Sequence, residues 1–224
     1  MRAMLMTRAT VFFLGIFVAC ACAQAKTPPP EDDSGWPEVE KLIIEQKFEA
    51  ASEKLKTVRE TARKNGDEAL LTRAIVKEVQ LRLGLHGYET ALRFLRDEPW
   101  PKGASSRTAL NIYYAHSLIY YLSMYGWEIG QREKVESKGP LDLKAWTRDQ
   151  IVAEALKAYD EIWKAREALS KTPVSEFSDF VNAGSFPSEI HTSMRDAIAY
   201  LAVELLANTG YWRPEESNDV YLLN

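Results

Sequence analysis

Apolar side chains recur at helical spacing through nearly all of the chain after Gly35. Residues three or four positions apart share one face of an α-helix, so this spacing predicts amphipathic helices. No segment alternates apolar and polar residues for long enough to predict a β-strand. The pattern therefore predicts an all-α domain over 36–224. The predicted helices span 36–46, 49–64, 68–83, 89–96, 105–125, 147–170, 175–181 and 188–208.

Individual residues support several of these boundaries. Pro37 suits the first turn of a helix, where its missing N–H leaves no hydrogen bond unmade. Gly66 is a good C-cap and Asp67 a good N-cap, so we expect one helix to end and the next to begin there. The polar, glycine-containing stretch 126–143 predicts a long loop, a kind of segment that is often functional.

Two parts of the helical region are similar at an offset of 40 residues. Residues 47–51 (Lys-Phe-Glu-Ala-Ala) align with residues 87–91 (Gly-Tyr-Glu-Thr-Ala), and Leu55 aligns with Leu95. An aromatic residue, an acid and a small residue recur, as at the start of the second helix of a tetratricopeptide-like hairpin. Such a period is typical of α-solenoids. We therefore predict antiparallel helical hairpins in a tetratricopeptide-like α-solenoid, with an unrelated helical bundle as the alternative.

The predicted helix 105–125 is apolar on almost every side, which indicates burial on several faces and a central position. It contains two tyrosine pairs, at 113–114 and 120–121. Tyrosine stripes serve either as stacking platforms for sugars or bases, or as core positions whose hydroxyls reach the surface. The apolar surroundings favour the core interpretation.

The N-terminus has the features of an export leader. Residues 1–8 carry two arginines and no acid, residues 11–18 are apolar, and small residues follow. This order predicts a secretory signal peptide over 1–23, and the apolar run is shorter than the ~20 residues of a membrane-spanning helix. Residues 24–35 are rich in proline and acidic residues, which predicts an extended linker. We expect export to the periplasm, to the outer membrane or out of the cell.

Two routes of maturation remain open. Cleavage after Ala23 follows the small-residue rule and makes Gln24 the first mature residue. Alternatively, residues 17–20 (Phe-Val-Ala-Cys) form a bacterial lipobox, and Cys20 carries a lipid anchor. The chain has no cysteine beyond Cys22, so the helical body contains neither a disulfide nor a thiolate metal site.

Composition and charge narrow the classes of function. The chain has 28 Lys and Arg against 32 Asp and Glu, a formal net charge of −4, whereas dedicated nucleic-acid binders usually show a basic footprint. A hydrophobic content of 46% is too high for a disordered chain. Residues 221–224 (Tyr-Leu-Leu-Asn) form an apolar ending, so truncation of a longer helical region is a further expectation.

The sequence lacks the common catalytic and metal-binding motifs. The three histidines, His86, His116 and His191, belong to no zinc or di-iron motif, and no phosphate-binding loop or nucleophile elbow occurs. We therefore predict no cofactor, no metal site and no enzyme activity. Asp196 and Glu204 form the one candidate pair of catalytic carboxylates, because partial burial on a shared helix would raise a carboxyl pKa. The simpler interpretation pairs Asp196 with a neighbouring arginine.

Several short segments resemble the N-terminal helical region of bacterial α2-macroglobulin-like proteins. In that family a signal peptide, often of the lipoprotein type, and a helical region precede a series of β-sandwich domains. Protease-trapping members use a bait region and, in many cases, a Cys-x-x-Gln thioester. Neither can be placed in this chain, so no functional residue is carried over. The similar segments lie at 35–42, 159–163, 172–177, 186–187, 195–206 and 212–218.

The resemblance implies an exported, non-catalytic helical interaction or spacer module with protein partners in the cell envelope. Its contact with the membrane would be limited to an N-terminal lipid anchor. A free-standing tetratricopeptide-like lipoprotein that scaffolds envelope proteins is the alternative, and a helical enzyme built on Asp196 and Glu204 is the third hypothesis.

Overall fold

Helices supply the regular structure of this protein. A computed structural model describes residues 34–133, 142–180 and 192–207, with side chains as far as residue 203. Within these ranges there are nine α-helices, two short 3-10 helices (Leu143–Ala145 and Val174–Phe177) and no β-strand, which confirms the predicted all-α class. The α-helices are α1 (Trp36–Ile44), α2 (Phe48–Asn65), α3 (Glu68–Gly84), α4 (Tyr88–Asp97), α5 (Ala104–Met124), α6 (Gly126–Gly130), α7 (Arg148–Lys164), α8 (Arg166–Leu169) and α9 (Met194–Ala207).

Side-chain caps fix where two of the long helices begin. The Asp67 carboxylate accepts a hydrogen bond from the Leu70 backbone N–H at 2.9 Å, so Asp67 caps α3 as predicted. At the start of α7, Thr147 and Gln150 form a capping box in which each side chain accepts from the other residue's backbone N–H. These bonds satisfy donors that have no partner inside the helix.

The turns after α1 and α3 have the same structure. Gln46 (φ 58°) and His86 (φ 61°) both adopt the left-handed conformation, although neither is glycine. In both turns the next backbone N–H donates to the carbonyl oxygen five positions earlier, at 2.9 and 2.8 Å. This arrangement is the Schellman ending of a helix. Gly66 (φ 69°) ends α2 with the same hydrogen-bond pattern, so three successive helices end in one way.

The residues aligned in the sequence also occupy equivalent places in the structure. Phe48 and Tyr88 are the first residues of α2 and α4. The aligned alanines allow close approach of a neighbouring helix, and the aligned leucines fill the core. All four are buried, namely Ala51, Ala91, Leu55 and Leu95. The sequence repeat is therefore a repeat of backbone turn and of buried positions.

Packing follows the order of the chain and centres on α5. Each of α1, α2, α3 and α4 contacts the next helix, and α3 also contacts α5. α5 packs in addition against α6 and, most extensively, against α7. Tyr114 and Tyr121 are buried, which confirms the core interpretation for them, whereas Tyr120 is 52% exposed. The last helix, α9, contacts α7 and α8.

Several predicted boundaries were wrong. The stretch 126–143 is not a loop throughout, because α6 forms at Gly126–Gly130 and buries Ile129. The predicted helix 147–170 is interrupted at Ala165, and the turn there brings Leu169 into the core. In place of a helix over 175–181, a 3-10 turn buries Phe177.

The predicted leader and anchor lie outside the described residues, as do linker residues 24–33 and segments 134–141, 181–191 and 208–224. This includes Cys20, Cys22 and His191. Among the described helices, none has the length and apolar character needed to cross a membrane.

Candidate functional site

Asp196 is engaged in capping α9. The Ser193 hydroxyl donates to the Asp196 carboxylate at 2.7 Å, and the Asp196 backbone N–H donates back to that hydroxyl at 3.3 Å. Arg195 forms an ion pair with the same carboxylate at 3.3 Å. The hydrogen bond from Ser193 is the main cause of a pKa below the ordinary aspartate value. These contacts match the simpler interpretation of Asp196; the side chain of Glu204 lies outside the described part.

The two described histidines have different surroundings. His86 lies in the turn after α3, with Nδ1 3.2 Å from the Tyr88 hydroxyl. His116 lies on α5 beside an apolar cavity. In the described residues, no group of three or more His, Cys, Asp or Glu side chains is placed to hold a metal ion.

A buried carboxylate, Glu78 on α3, organises the junction of α2 and α3. Both of its oxygens accept from the Ser52 hydroxyl at 2.9 Å. Arg82 donates to it from Nε at 2.8 Å and lies 2.7 Å away through Nη2. Arg59 Nη1 lies 3.8 Å from its other oxygen. The Glu78 side chain is only 2% exposed, so protein groups rather than water solvate this charge.

The same cluster extends to α4. Phe94 lies between two guanidinium groups, with the Cζ atoms of Arg59 and Arg82 at 4.9 and 4.7 Å from its ring centre. Arg59 Nε is 3.3 Å from Glu98, which also pairs with Arg63. Burial lowers the pKa of the Arg59 guanidinium, and the two carboxylates oppose that effect. Arg59 Nη1 is buried without a hydrogen-bond partner in the described structure.

Next to this cluster, residues of α4, α5 and α7 line an open cleft of about 300 Å³, which we call the arginine cleft. The Arg96 guanidinium lies over the Trp146 ring at 5.0 Å, and that of Arg107 over the Trp100 ring at 5.9 Å. The Trp100 ring is fixed by a 2.8 Å hydrogen bond from Nε1 to the Leu95 carbonyl. The polar and aromatic residues that line the cleft are Arg96, Glu98, Trp100, Arg107, Tyr114 and Glu154.

Tyr114 forms the floor of the arginine cleft. Its ring packs edge-on against Trp100 with centroids 6.2 Å apart, and its hydroxyl donates to Glu154 at 3.4 Å. Burial is the main cause that raises the pKa of the Tyr114 phenol, and the Glu154 charge raises it further. Tyr114 therefore remains a neutral donor at physiological pH.

A second concavity, of about 270 Å³, is mainly apolar and lies between α3, α5 and α9. Leu83, Ile112 and Leu201 contribute aliphatic walls. Ser117 also lines it, and its hydroxyl is buried without a hydrogen-bond partner in the described part of the chain. Tyr113 closes one side, where its hydroxyl donates to the Phe180 carbonyl at 2.9 Å.

Of the residues singled out in the sequence, two line the arginine cleft: Leu95, a position of the repeat, and Tyr114, a member of a tyrosine pair. Arg96 and Arg107 come from different helices, and the tryptophans beneath them belong to two connecting segments. Neither the two arginines nor the two tryptophans belong to a sequence pattern that indicates a binding site. Trp100 stands between two prolines, in the segment that joins α4 to α5.

Comparison of the chain with protein-family models, with characterised proteins and with solved protein structures gives no significant match.

Proposed function

We propose that this protein is an exported, non-catalytic helical module that binds a protein partner in the bacterial cell envelope. In this role it would correspond to the N-terminal helical region of α2-macroglobulin-like proteins, which its short segments resemble. The proposal combines the leader-like pattern of residues 1–23 with the helical body after Gly35.

The observation that carries the proposal is the repeated turn. We infer that α1–α2 and α3–α4 are two copies of one tetratricopeptide-like hairpin. Support comes from the matching left-handed residues Gln46 and His86, from the matched buried positions, and from the contact of α3 with both α4 and α5. In arrays of such units each repeat contacts its neighbours, and the stacked helices present extended surfaces that bind other proteins.

Exposed aromatic and aliphatic side chains add support. Trp127 on α6 is 83% exposed and Ile44 at the end of α1 is 82% exposed. Single exposed apolar residues are ordinary, but Tyr120 and Met124 also lie one helical turn apart on α5, each more than half exposed. Contiguous exposed apolar side chains are a feature of protein–protein interaction sites.

Export and processing provide the experimental test. The full chain is expressed in a bacterium, cells are fractionated, and the N-terminus of the product is sequenced. The proposal expects an envelope fraction whose chain begins at Gln24 or at a palmitate-labelled Cys20. Cys20→Ala should abolish labelling, whereas the matched control Cys22→Ala should not. Full-length protein retained in the cytosol would contradict the proposal.

A further inference from the structure

The α2–α4 junction and the arginine cleft together hold five arginines against three carboxylates, although the chain as a whole is acidic. The formal net charge is −4. At the α2–α4 junction, Glu78 and Glu98 are shared among three arginines. The arginine cleft then adds Arg96 and Arg107 together with one further carboxylate, Glu154. A local excess of positive charge on an acidic protein attracts anions to one place rather than to the whole surface.

The two cleft arginines differ from the arginines of the α2–α4 junction, which pair with Glu78 and Glu98. In the described residues no ion pair forms on Arg96 or Arg107, although both side chains are exposed and carboxylates line the same cleft. Glu98 is already engaged by Arg59 and Arg63, and Glu154 contacts Lys157 at 3.6 Å. Both cleft guanidinium groups therefore keep their hydrogen-bond donors available to a ligand.

These two guanidinium groups are also held in position. Each lies over a tryptophan ring within the range of a cation–π interaction, at 5.0 Å for Arg96 and 5.9 Å for Arg107, and the Trp100 ring is fixed by its own hydrogen bond. A stacked arginine loses less side-chain entropy on binding than a mobile one. Its planar set of donors matches the two oxygens of a carboxylate.

The other cleft residues indicate what kind of anion would bind. Glu98 and Glu154 would repel a doubly charged phosphate more strongly than a singly charged carboxylate. Their oxygens are able to accept hydrogen bonds from peptide N–H groups. Trp100 and Tyr114 supply an aromatic floor on which peptide side chains pack. A peptide combines carboxylate, N–H donors and apolar side chains in one ligand.

We propose that the arginine cleft binds an acidic peptide segment of a protein partner, with Arg96 and Arg107 pairing with its carboxylates. This inference rests on the proposed function and specifies the chemistry of the partner.

Fluorescence anisotropy with a labelled peptide tests the proposal directly. The probe is a fluorescein-labelled oligoglutamate peptide titrated with the purified full chain, and an oligoglutamine peptide is the neutral control. We expect the oligoglutamate peptide to bind at least about tenfold more tightly, because charge-assisted hydrogen bonds to arginine are made only with the acidic peptide. Equal binding of the two peptides would overturn the proposal.

Charge variants locate the binding site. The double variant Arg96→Gln/Arg107→Gln should raise the Kd for oligoglutamate by about tenfold or more, with an unchanged circular-dichroism spectrum. The matched control is Arg166→Gln, because Arg166 also stacks on a tryptophan, Trp163, but lies on α8. We expect that control to change the Kd by less than about twofold. Equal losses in the two variants would show non-specific attraction and overturn the proposal.

Two further measurements separate the alternatives. Lysine at positions 96 and 107 keeps the charge but loses the planar donors, so Arg96→Lys/Arg107→Lys should give an intermediate Kd. Inorganic phosphate should compete no better than chloride at equal ionic strength; stronger competition would overturn the proposal in favour of a phosphate site. Because the titration uses purified protein, failure of export would refute the proposed function without changing this result. Conversely, export of a protein that does not bind oligoglutamate would refute only the proposal that the cleft binds an acidic peptide.

Discussion

Replacing Glu78 with glutamine removes the negative charge from the buried cluster between α2 and α3. Glutamine has nearly the same shape, so the packing is preserved and the electrostatic contribution is isolated. Arg59, whose side chain is only 9% exposed, would then keep Glu98 as its one nearby carboxylate. Arg82 is 34% exposed and is able to turn toward water.

The expected loss of stability follows from the difference in exposure between Arg59 and Arg82. Breaking a buried ion pair by removing one partner costs about 3–5 kcal/mol. Because Arg82 recovers hydration and glutamine still accepts one hydrogen bond, we expect the lower end, about 3 kcal/mol. For a domain of this size that corresponds to a fall in Tm of about 6–12 °C. Glu161→Gln is the matched control, because Glu161 pairs with Lys164 at the surface and its loss should cost at most about 0.5 kcal/mol.

Urea unfolding followed by circular dichroism at 222 nm measures both variants. We expect a lower midpoint for Glu78→Gln with an unchanged m-value, since the folded state buries the same surface. A double-mutant cycle with Arg82→Gln should give a coupling energy of about 1 kcal/mol or more. If Glu78→Gln is no less stable than Glu161→Gln, the cluster does not stabilise the fold and the reasoning fails.

Three further predictions concern the turns, the last helix and one exposed carboxylate. Gln46→Gly and His86→Gly should each stabilise the protein by about 0.5–1 kcal/mol, because the left-handed conformation is costly for side chains other than glycine. A lower Tm in either variant would contradict this. Ser193→Ala should destabilise α9 by about 1 kcal/mol and raise the pKa of Asp196, as measured by NMR titration, since the Ser193 hydroxyl is the main cause of its lowering. An unchanged Asp196 titration would show that the capping bond is not formed in solution. The hydrogen bond from Arg93 holds the pKa of the Asp142 carboxyl below its usual value of about 3.9. Because the folded-state pKa is the lower one, the stabilisation is present above the unfolded-state pKa and is lost as the pH falls through the folded-state pKa. Arg93→Gln should therefore raise the pKa of Asp142, and a constant pKa would refute the assignment.

Much of the helical architecture could be predicted from the sequence, because helix periodicity and caps are local signals. The predicted helices 49–64 and 89–96, where the repeat lies, begin within one residue of α2 and α4, and the aligned alanines and leucines are buried. The turns that precede α2 and α4 were harder to predict from the sequence. Glycine is the usual sign of a left-handed helix ending, and Gln46 and His86 give no such sign. Their equivalence became visible only in the backbone geometry.

The arginine cleft and the Glu78 cluster could not be predicted, for a different reason. Both depend on pairings between side chains from separate helices, such as Ser52 with Glu78 and Arg107 with Trp100. Sequence spacing describes neighbours on one helix, whereas these contacts depend on how the helices pack. The helical break at Ala165 was missed likewise, and the short helix that follows it has a buried residue, Leu169.

Photo-crosslinking in living cells tests the central claim most directly. A benzophenone amino acid replaces Asp97, the exposed residue beside Arg96 at the end of α4, so that both cleft arginines are kept, and a matched variant carries it in place of Arg166 on α8. An exported binding module predicts a discrete crosslinked protein from the Asp97 position, carried by processed chains in the envelope fraction, and none from the Arg166 position. Unprocessed chains confined to the cytosol, or the same products from both positions, would contradict the account.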